Sequence, residues 1–143
     1  MSPMQMEFPV GLSPTHFIRL TLSRDGKIVS SNFYLHGVEE QDYKGIRTLP
    51  PAKVDVKTTI ARRGPEWVIT AELHNVSTAP ALMVRVKAVR EKTGDPIQPA
   101  LYDDNYVALM PGEREAIHIS LENADTGGER PRIIVAGYNL AAP

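Results

Sequence analysis

The chain has 143 residues, a formal net charge of −1, 42% hydrophobic residues and no cysteine. That length suits one ordinary domain able to bury a core, and the scattered charges show no basic footprint for nucleic acid or an anionic membrane. The missing thiols exclude disulfides, thiolate catalysis and cysteine-held zinc, and no apolar run reaches the roughly 18 residues of a membrane-spanning helix.

Residues 1–14, with three methionines and three prolines, read as a linker or junction. They lack the charged start and apolar block of a signal peptide. From His16 to Ser23, Ile18, Leu20 and Leu22 alternate with Arg19 and Thr21, the period-two pattern of a half-buried strand. Asp25-Gly26 follows, the strongest short-range hairpin signal. It leads into a partner strand, Ile28 to Leu35, with Val29, Ser31, Phe33 and Leu35 on one face. His36 to Pro51 has no strand pattern, holds Gly37, Gly45 and Pro50-Pro51, and reads as a long crossover loop with one helical turn near Glu39 to Tyr43. Connections this long are often functional or packed on a neighbour.

Lys53 to Arg62 is the next expected strand, with Val54, Val56, Thr58 and Ile60 on one face. Arg63-Gly64-Pro65 turns the chain into Glu66 to Asn75, with Trp67, Ile69, Ala71 and Leu73 inward. Ala81 to Arg90 places Leu82, Val84, Val86 and Ala88 inward. Ile97 to Tyr102, flanked and broken by Pro96 and Pro99, suits only an edge. In Met110-Pro111-Gly112-Glu113, Pro111 presets φ for the first central position of a turn and Gly112 supplies the positive φ that a type II turn needs at the second. Such a corner carries a chain from one sheet to the other. Glu115 to Leu121 alternates again, with Ile117, Ile119 and Leu121 inward, and Arg132 to Leu140 is a last strand, apolar on both faces at Ile133-Ile134-Val135. About seven strands, short turns and no amphipathic helix predict an all-β, immunoglobulin-like sandwich of two antiparallel sheets over residues 15–143. Trp67 is expected in its core.

Chemistry is sparse. The four histidines, at 16, 36, 74 and 118, show no ligand spacing, so no metal site is expected. Asp103-Asp104-Asn105 offers clustered oxygens that calcium favours, but such residues more often cap backbone N–H groups. Glu39, Glu40, Asp42, Glu113 and Glu115 are numerous enough for a glycosidase pair, yet nothing places two of them across a cleft. Tyr34, Tyr43, Tyr102, Tyr106 and Tyr138 are candidates for sugar stacking, although tyrosines of a sandwich more often close the core rim. Asn75-Val76-Ser77 matches an N-glycosylation acceptor in spacing alone. No catalytic, cofactor or metal residue is expected.

Four pieces in order carry a family likeness: Ser31-Asn32-Phe33-Tyr34-Leu35, Leu49-Pro50-Pro51-Ala52-Lys53-Val54, Asp104-Asn105-Tyr106-Val107-Ala108-Leu109-Met110-Pro111-Gly112-Glu113, and Gly137-Tyr138-Asn139. From about His16 to Leu140 the chain resembles the C-terminal immunoglobulin-like domain of family 2 glycoside hydrolases, of the exo-β-glucosaminidase and β-mannosidase type. Leu35 stands where that family usually has tryptophan. The resemblance implies a parent chain with a jelly roll, further immunoglobulin-like domains and a catalytic (β/α)₈ barrel that holds both catalytic glutamates. No residue here matches that catalytic motif. The implied role is therefore a non-catalytic accessory domain of an exo-β-glycosidase (β-mannosidase, exo-β-glucosaminidase or β-galactosidase), with the other parent domains as partners and residues 36–51 as the candidate contact loop. The alternatives are an autonomous carbohydrate-binding module, with oligosaccharide as partner, or a cell-surface sandwich. No cofactor, nucleic acid or membrane is implied. The sequence is silent on cellular address, and a polysaccharide-degrading parent is compatible with secretion or the periplasm.

Overall fold

The computed structural model describes residues 8–141, except for the side chains of residues 40–42. The first half of the linker read over residues 1–14 thus falls outside the described residues. The chain divides into two compact units between Leu49 and Pro50.

The first unit is a hairpin and one helical segment. Strands β1 (Thr15–Arg24) and β2 (Lys27–Gly37) pair antiparallel. Asp25 and Gly26 at their turn have φ of 51° and 76°, the two positive values that a two-residue hairpin turn demands. The ribbon is more exposed than its alternation predicts. Leu22 and Ile28 are 64% and 68% exposed, because among the described residues this two-stranded sheet has no third strand. In place of an irregular loop, Glu40–Thr48 forms a nine-residue 3-10 helix. It runs so close to β1 that a Cβ on Gly45 would sit 3.1 Å from the Thr15 Cβ, tighter than ordinary contact, so glycine is required there.

The second unit is the sandwich. Strands β3 (Val54–Arg63), β4 (Glu66–Asn75), β8 (Arg114–Glu122) and β6 (Leu101–Tyr102) form a four-stranded sheet in the order β3-β4-β8-β6, and β7 (Val107–Leu109), β5 (Ala81–Arg90) and β9 (Pro131–Ala136) form a three-stranded sheet in the order β7-β5-β9. All neighbours are antiparallel. One core cluster joins the two sheets: Ile69, Ala71 and Leu73 with Ile117, Ile119 and Leu121 from one, and Val84, Val86 and Ala88 from the other. These are the residues that the alternation pointed inward. The seven strands of the sandwich are a different seven from those the pattern counts, since β6 and β7 replace the N-terminal hairpin. β3 and β9 are edges, which explains why Val56 and Ile134 remain exposed.

Trp67 is only partly buried and lies against the core's margin, not at its centre as expected. It sits near the start of β4, opposite Arg62 and Leu121. Its indole N–H donates to Asn123 Oδ1 at 3.0 Å, and the Arg62 guanidinium lies 5.9 Å from its ring centre. A ring with a polar edge favours such a rim position.

The opposite end of β4 is closed by a buried amide. Asn75 is 0% exposed. Its Nδ2 donates to Ala79 O at 2.8 Å and Leu109 O at 2.9 Å, and its Oδ1 accepts from Ser77 N at 3.0 Å and Ser77 Oγ at 2.6 Å. Its backbone N–H donates to Glu113 O at 3.0 Å, and its carbonyl accepts from Gly112 N at 2.9 Å. The Met110–Glu113 turn closes by its own 3.0 Å bond from Glu113 N to Met110 O, with Gly112 at φ 79° as a type II turn requires. One side chain thus ties the end of β4, the start of β5 and the β7–β8 corner. Asn139 does the same for the C-terminal segment: Nδ2 donates to Pro50 O at 3.0 Å and Pro80 O at 2.8 Å, while Oδ1 accepts from Leu82 N at 3.0 Å.

Replacing Asn75 by Ala would remove its bond to Leu109 O and leave Ala79 O with the 3.2 Å bond from Ser77 Oγ, and a buried polar group left unpaired costs about 1–3 kcal/mol. We expect Asn75→Ala to lower unfolding stability by roughly 2–4 kcal/mol in urea titrations. A loss below about 1 kcal/mol would show that the network is dispensable.

Candidate functional site

The polar segment Tyr102–Tyr106, between β6 and β7, is where the sequence concentrates donors and acceptors, and the fold uses nearly all of them internally. β7 is short and meets β5 only at Ala81↔Leu109 and Val84↔Val107, with a register shift between. Met83, inside that shift, has φ 51°. Along the rest of this flank, the described residues give β5 only the isolated Val89↔Pro96 bridge, with Ile97 N donating to Ala88 O at 3.0 Å. Two side chains stand in. Asn105 Oδ1 accepts from Val86 N at 2.8 Å and Asn105 Nδ2 donates to Val86 O at 3.0 Å, so one amide reproduces a strand's pair of ladder bonds. Tyr102 Oη accepts from Ala88 N at 3.0 Å, reaching from the four-stranded sheet to the three-stranded one. Unpaired buried N–H groups at these two positions would each be costly.

Asp103 is engaged with His118 on the neighbouring strand. Its Oδ1 accepts from His118 N at 2.7 Å and its Oδ2 accepts from His118 Nδ1 at 2.7 Å. Both side chains are at least half exposed. Slight burial works against ionisation of Asp103, but the hydrogen bonds and charge of His118 outweigh it and hold the carboxyl below the usual carboxylate range. Asp104 Oδ1 accepts from Asn105 N at 2.6 Å. The three residues weighed as calcium ligands therefore act as backbone acceptors and cross-strand partners. Among the described residues, no three His, Asp or Glu side chains gather as a metal set.

The remaining candidates are dispersed. His16 and His36 face each other on the hairpin, Nε2 to Nδ1 at 3.1 Å, with Phe8 stacked on His36 at 5.3 Å between ring centres. His74 lies on β4 opposite Asp55 and Arg114. Glu113 Oε2 accepts from Met110 N at 2.8 Å, inside the turn. The side chains of Glu40 and Asp42 lie outside those described. Tyr34, Tyr43, Tyr106 and Tyr138 are exposed, whereas Tyr102 is spent on Ala88. Asn75, the glycosylation match, is wholly buried with both amide hydrogens occupied. A cleft of about 490 Å³ opens beside the hairpin, lined by Pro14, Phe17, Lys44, Ile46 and Leu49 among others, with no carboxylate among the described residues of its wall.

The side chains that do the most, Asn75, Asn105, Asn139 and Tyr102, carry no catalytic signature, and the sequence suggests other roles for three of them: glycosylation for Asn75, calcium for Asn105 and sugar stacking for Tyr102. The available signal was local: an asparagine at a strand end followed two residues later by serine, in Asn75-Val76-Ser77, is a turn former before it is a modification site. The Asp103–His118 pairing spans 15 residues, and only strand register reveals it.

The family model for the "Exo-beta-D-glucosaminidase Ig-fold domain" matches residues 32–140. An exo-beta-D-glucosaminidase of Streptomyces avermitilis is 30% identical over 92% of this chain, and one of Hypocrea jecorina is also 30% identical over 92%. The chain spans 17% of the length of each. Among solved structures, the exo-chitosanase CsxA of Amycolatopsis orientalis superposes with a TM-score of 0.84 at 26% identity, over 92% of this chain and 18% of that one.

The depressed Asp103 carboxyl sets a pH test. A carboxylate held below its unfolded value adds stability above that value, and the contribution disappears as pH falls through the folded one. Asp103→Asn should be less stable than the parent sequence at pH 7, and the two urea midpoints should converge as pH falls through and below the usual carboxylate range. A constant difference across that range would mean that ionisation of Asp103 contributes nothing.

Proposed function

The chain belongs to the exo-β-D-glucosaminidase immunoglobulin-fold domain family, and on that premise we propose that it is a non-catalytic packing domain of a longer exo-β-D-glucosaminidase. The observation that carries this reading is the use made of its polar side chains. Asn75, Asn105, Asn139, Tyr102 and Asp103 all point their hydrogen-bonding groups at the chain's own backbone or at a neighbouring strand. Glycoside hydrolysis needs two carboxyl groups flanking a substrate cleft, about 5–10 Å apart, and none of the described residues lining the cleft beside the hairpin carries one. The relatives are close to six times longer than this chain, which leaves ample room for a catalytic domain elsewhere in such a polypeptide. The partners in this reading are the other domains of the parent, a (β/α)₈ barrel among them. The segment 36–51, with Val38 and Tyr43 exposed, is the contact surface toward them.

The test has two arms. The isolated 143-residue chain is titrated with glucosamine oligosaccharides by NMR and incubated with an aryl β-D-glucosaminide. The expected result is no shift perturbation at millimolar sugar and no released aryl alcohol. In the parent enzyme, a truncation that removes the sandwich is expected to lower thermal stability while every bond-breaking residue stays in place. Saturable binding by the isolated chain would establish a carbohydrate-binding module instead. Turnover by it would overturn the non-catalytic reading outright.

A further inference from the structure

His16 and His36 are 20 residues apart in the chain, yet the register of the hairpin sets them directly opposite each other. Opposed side chains of an antiparallel pair share one face, with Cβ atoms about 4.5–5.5 Å apart. His16 is only 8% exposed, and a polar ring so enclosed needs partners for its nitrogens.

Both nitrogens of His16 are oriented. Nδ1 lies 3.1 Å from Ser13 O. A carbonyl can only accept, so Nδ1 carries the proton and, in the neutral ring, Nε2 carries the lone pair. That lone pair faces Nδ1 of His36 at 3.1 Å. A backbone carbonyl on the far nitrogen is the usual means by which a metal-bound histidine is held in one tautomer and one orientation. Phe8 walls the pair, edge-on to His16 at 5.2 Å and stacked on His36 at 5.3 Å between ring centres.

The rings are placed better for a shared cation than for a shared proton. A ring nitrogen lies about 1.1 Å from its own ring centre, so a straight N–H···N bond of 3.1 Å would put the two centres about 5.3 Å apart. The centres are 4.8 Å apart, and the planes are tilted by 44°. The ring axes are therefore bent toward one side. In a symmetric placement they close on a point roughly 2 Å from each nitrogen, the length of a zinc–imidazole bond. Two such bonds hold their nitrogens about 2.9 Å apart at a right angle and about 3.3 Å apart at the tetrahedral angle, and the observed 3.1 Å lies between.

We propose that Nε2 of His16 and Nδ1 of His36 are the two protein ligands of a site for a divalent cation of the zinc, copper or nickel class. Neutral imidazole suits those ions, whereas calcium and magnesium take oxygen. One proton relocates on binding: His36 gives up the proton on Nδ1 and takes one on Nε2, so the ring stays neutral and the balance is even. Among the described residues no third His, Asp or Glu joins the pair, and water completes the coordination. The site is thus open and exchangeable, unlike a structural zinc site closed by four protein ligands. The inference concerns side chains of this chain alone and does not depend on the packing-domain reading.

The test titrates the tag-free 143-residue chain with zinc chloride and follows its imidazole nitrogens by long-range ¹H–¹⁵N NMR, with magnesium chloride as the oxygen-seeking control. One zinc per chain is expected, in a saturable transition that moves Nε2 of His16 and Nδ1 of His36 and leaves His74 and His118 in place. Magnesium should move none of them. His36→Gln should weaken zinc binding by about tenfold or more, with the amide spectrum of the sandwich unchanged, and His74→Gln should bind as the unaltered chain does. Zinc that shifts neither ring, or only one of the two, would overturn the proposal, as would a transition centred on His74 or His118. Undiminished affinity in His36→Gln would do the same. If that substitution disturbs the hairpin, the nitrogen shifts of the unaltered chain still decide the matter.

Discussion

Everything in the sandwich depends on how two sheets of unequal width are held in register at their ends, and the Asn75 amide does this at one of them. Hydrophobic burial supplies most of the favourable free energy of such a core, but burial is non-directional. Isoleucines and valines fix that the sheets face each other and say little about which residue lies opposite which. Asn75 supplies direction. It donates to a carbonyl on the way into β5 and to one at the end of β7, and its own backbone clasps the Pro111-Gly112 corner. Because it is wholly enclosed, any arrangement that fails to meet all of its hydrogen bonds is penalised heavily. The core gives the sandwich its stability, and the buried amide gives it a single arrangement.

The same logic explains the segment Tyr102–Tyr106, which looks from its composition like a ligand site. Its oxygens and nitrogens are needed because β7 is too short to complete the β5 flank. A longer β7 would pair Val86 and Ala88 with backbone. Asn105 and Tyr102 pair them with side chains instead, and the chain is free to turn sharply through Asp103 and Asp104. Polar clustering in a strand-rich chain can therefore mark a missing stretch of ladder as readily as a binding surface.

What the sequence made legible follows from which forces are periodic. Alternation located Ile69-Ala71-Leu73, Val84-Val86-Ala88 and Ile117-Ile119-Leu121, because burial on one face of a strand imposes period two regardless of partner. The Asp25-Gly26 and Pro111-Gly112 turns were legible because positive φ is a local demand that few residues meet. Trp67 was misplaced at the centre because size suggested a core, whereas its position near the start of β4 and its polar edge fit the margin. β6 was legible only as an edge piece within Ile97–Tyr102, and it does end the β3-β4-β8-β6 sheet, whereas β7, three residues long, is too short for any period. The hairpin alternates like a half-buried strand, although among the described residues nothing covers its distal half. The Asp103–His118 pairing and the Asn105–Val86 bonds depend on register between distant segments, which carries no local trace.

The enclosed Asn75 also sets two processes against each other. Asn-Val-Ser is a sequence that secretory compartments of many cells read on emerging, still extended polypeptides, and the sugar is attached through the same side-chain nitrogen that donates to Ala79 and Leu109. A chain so modified has lost one of its two donor hydrogens and gained a bulky hydrophilic branch at a point where the folded protein has no room at all. Glycosylation and closure of the sandwich are mutually exclusive at this residue, and in such a compartment whichever happens first decides the fate of the molecule.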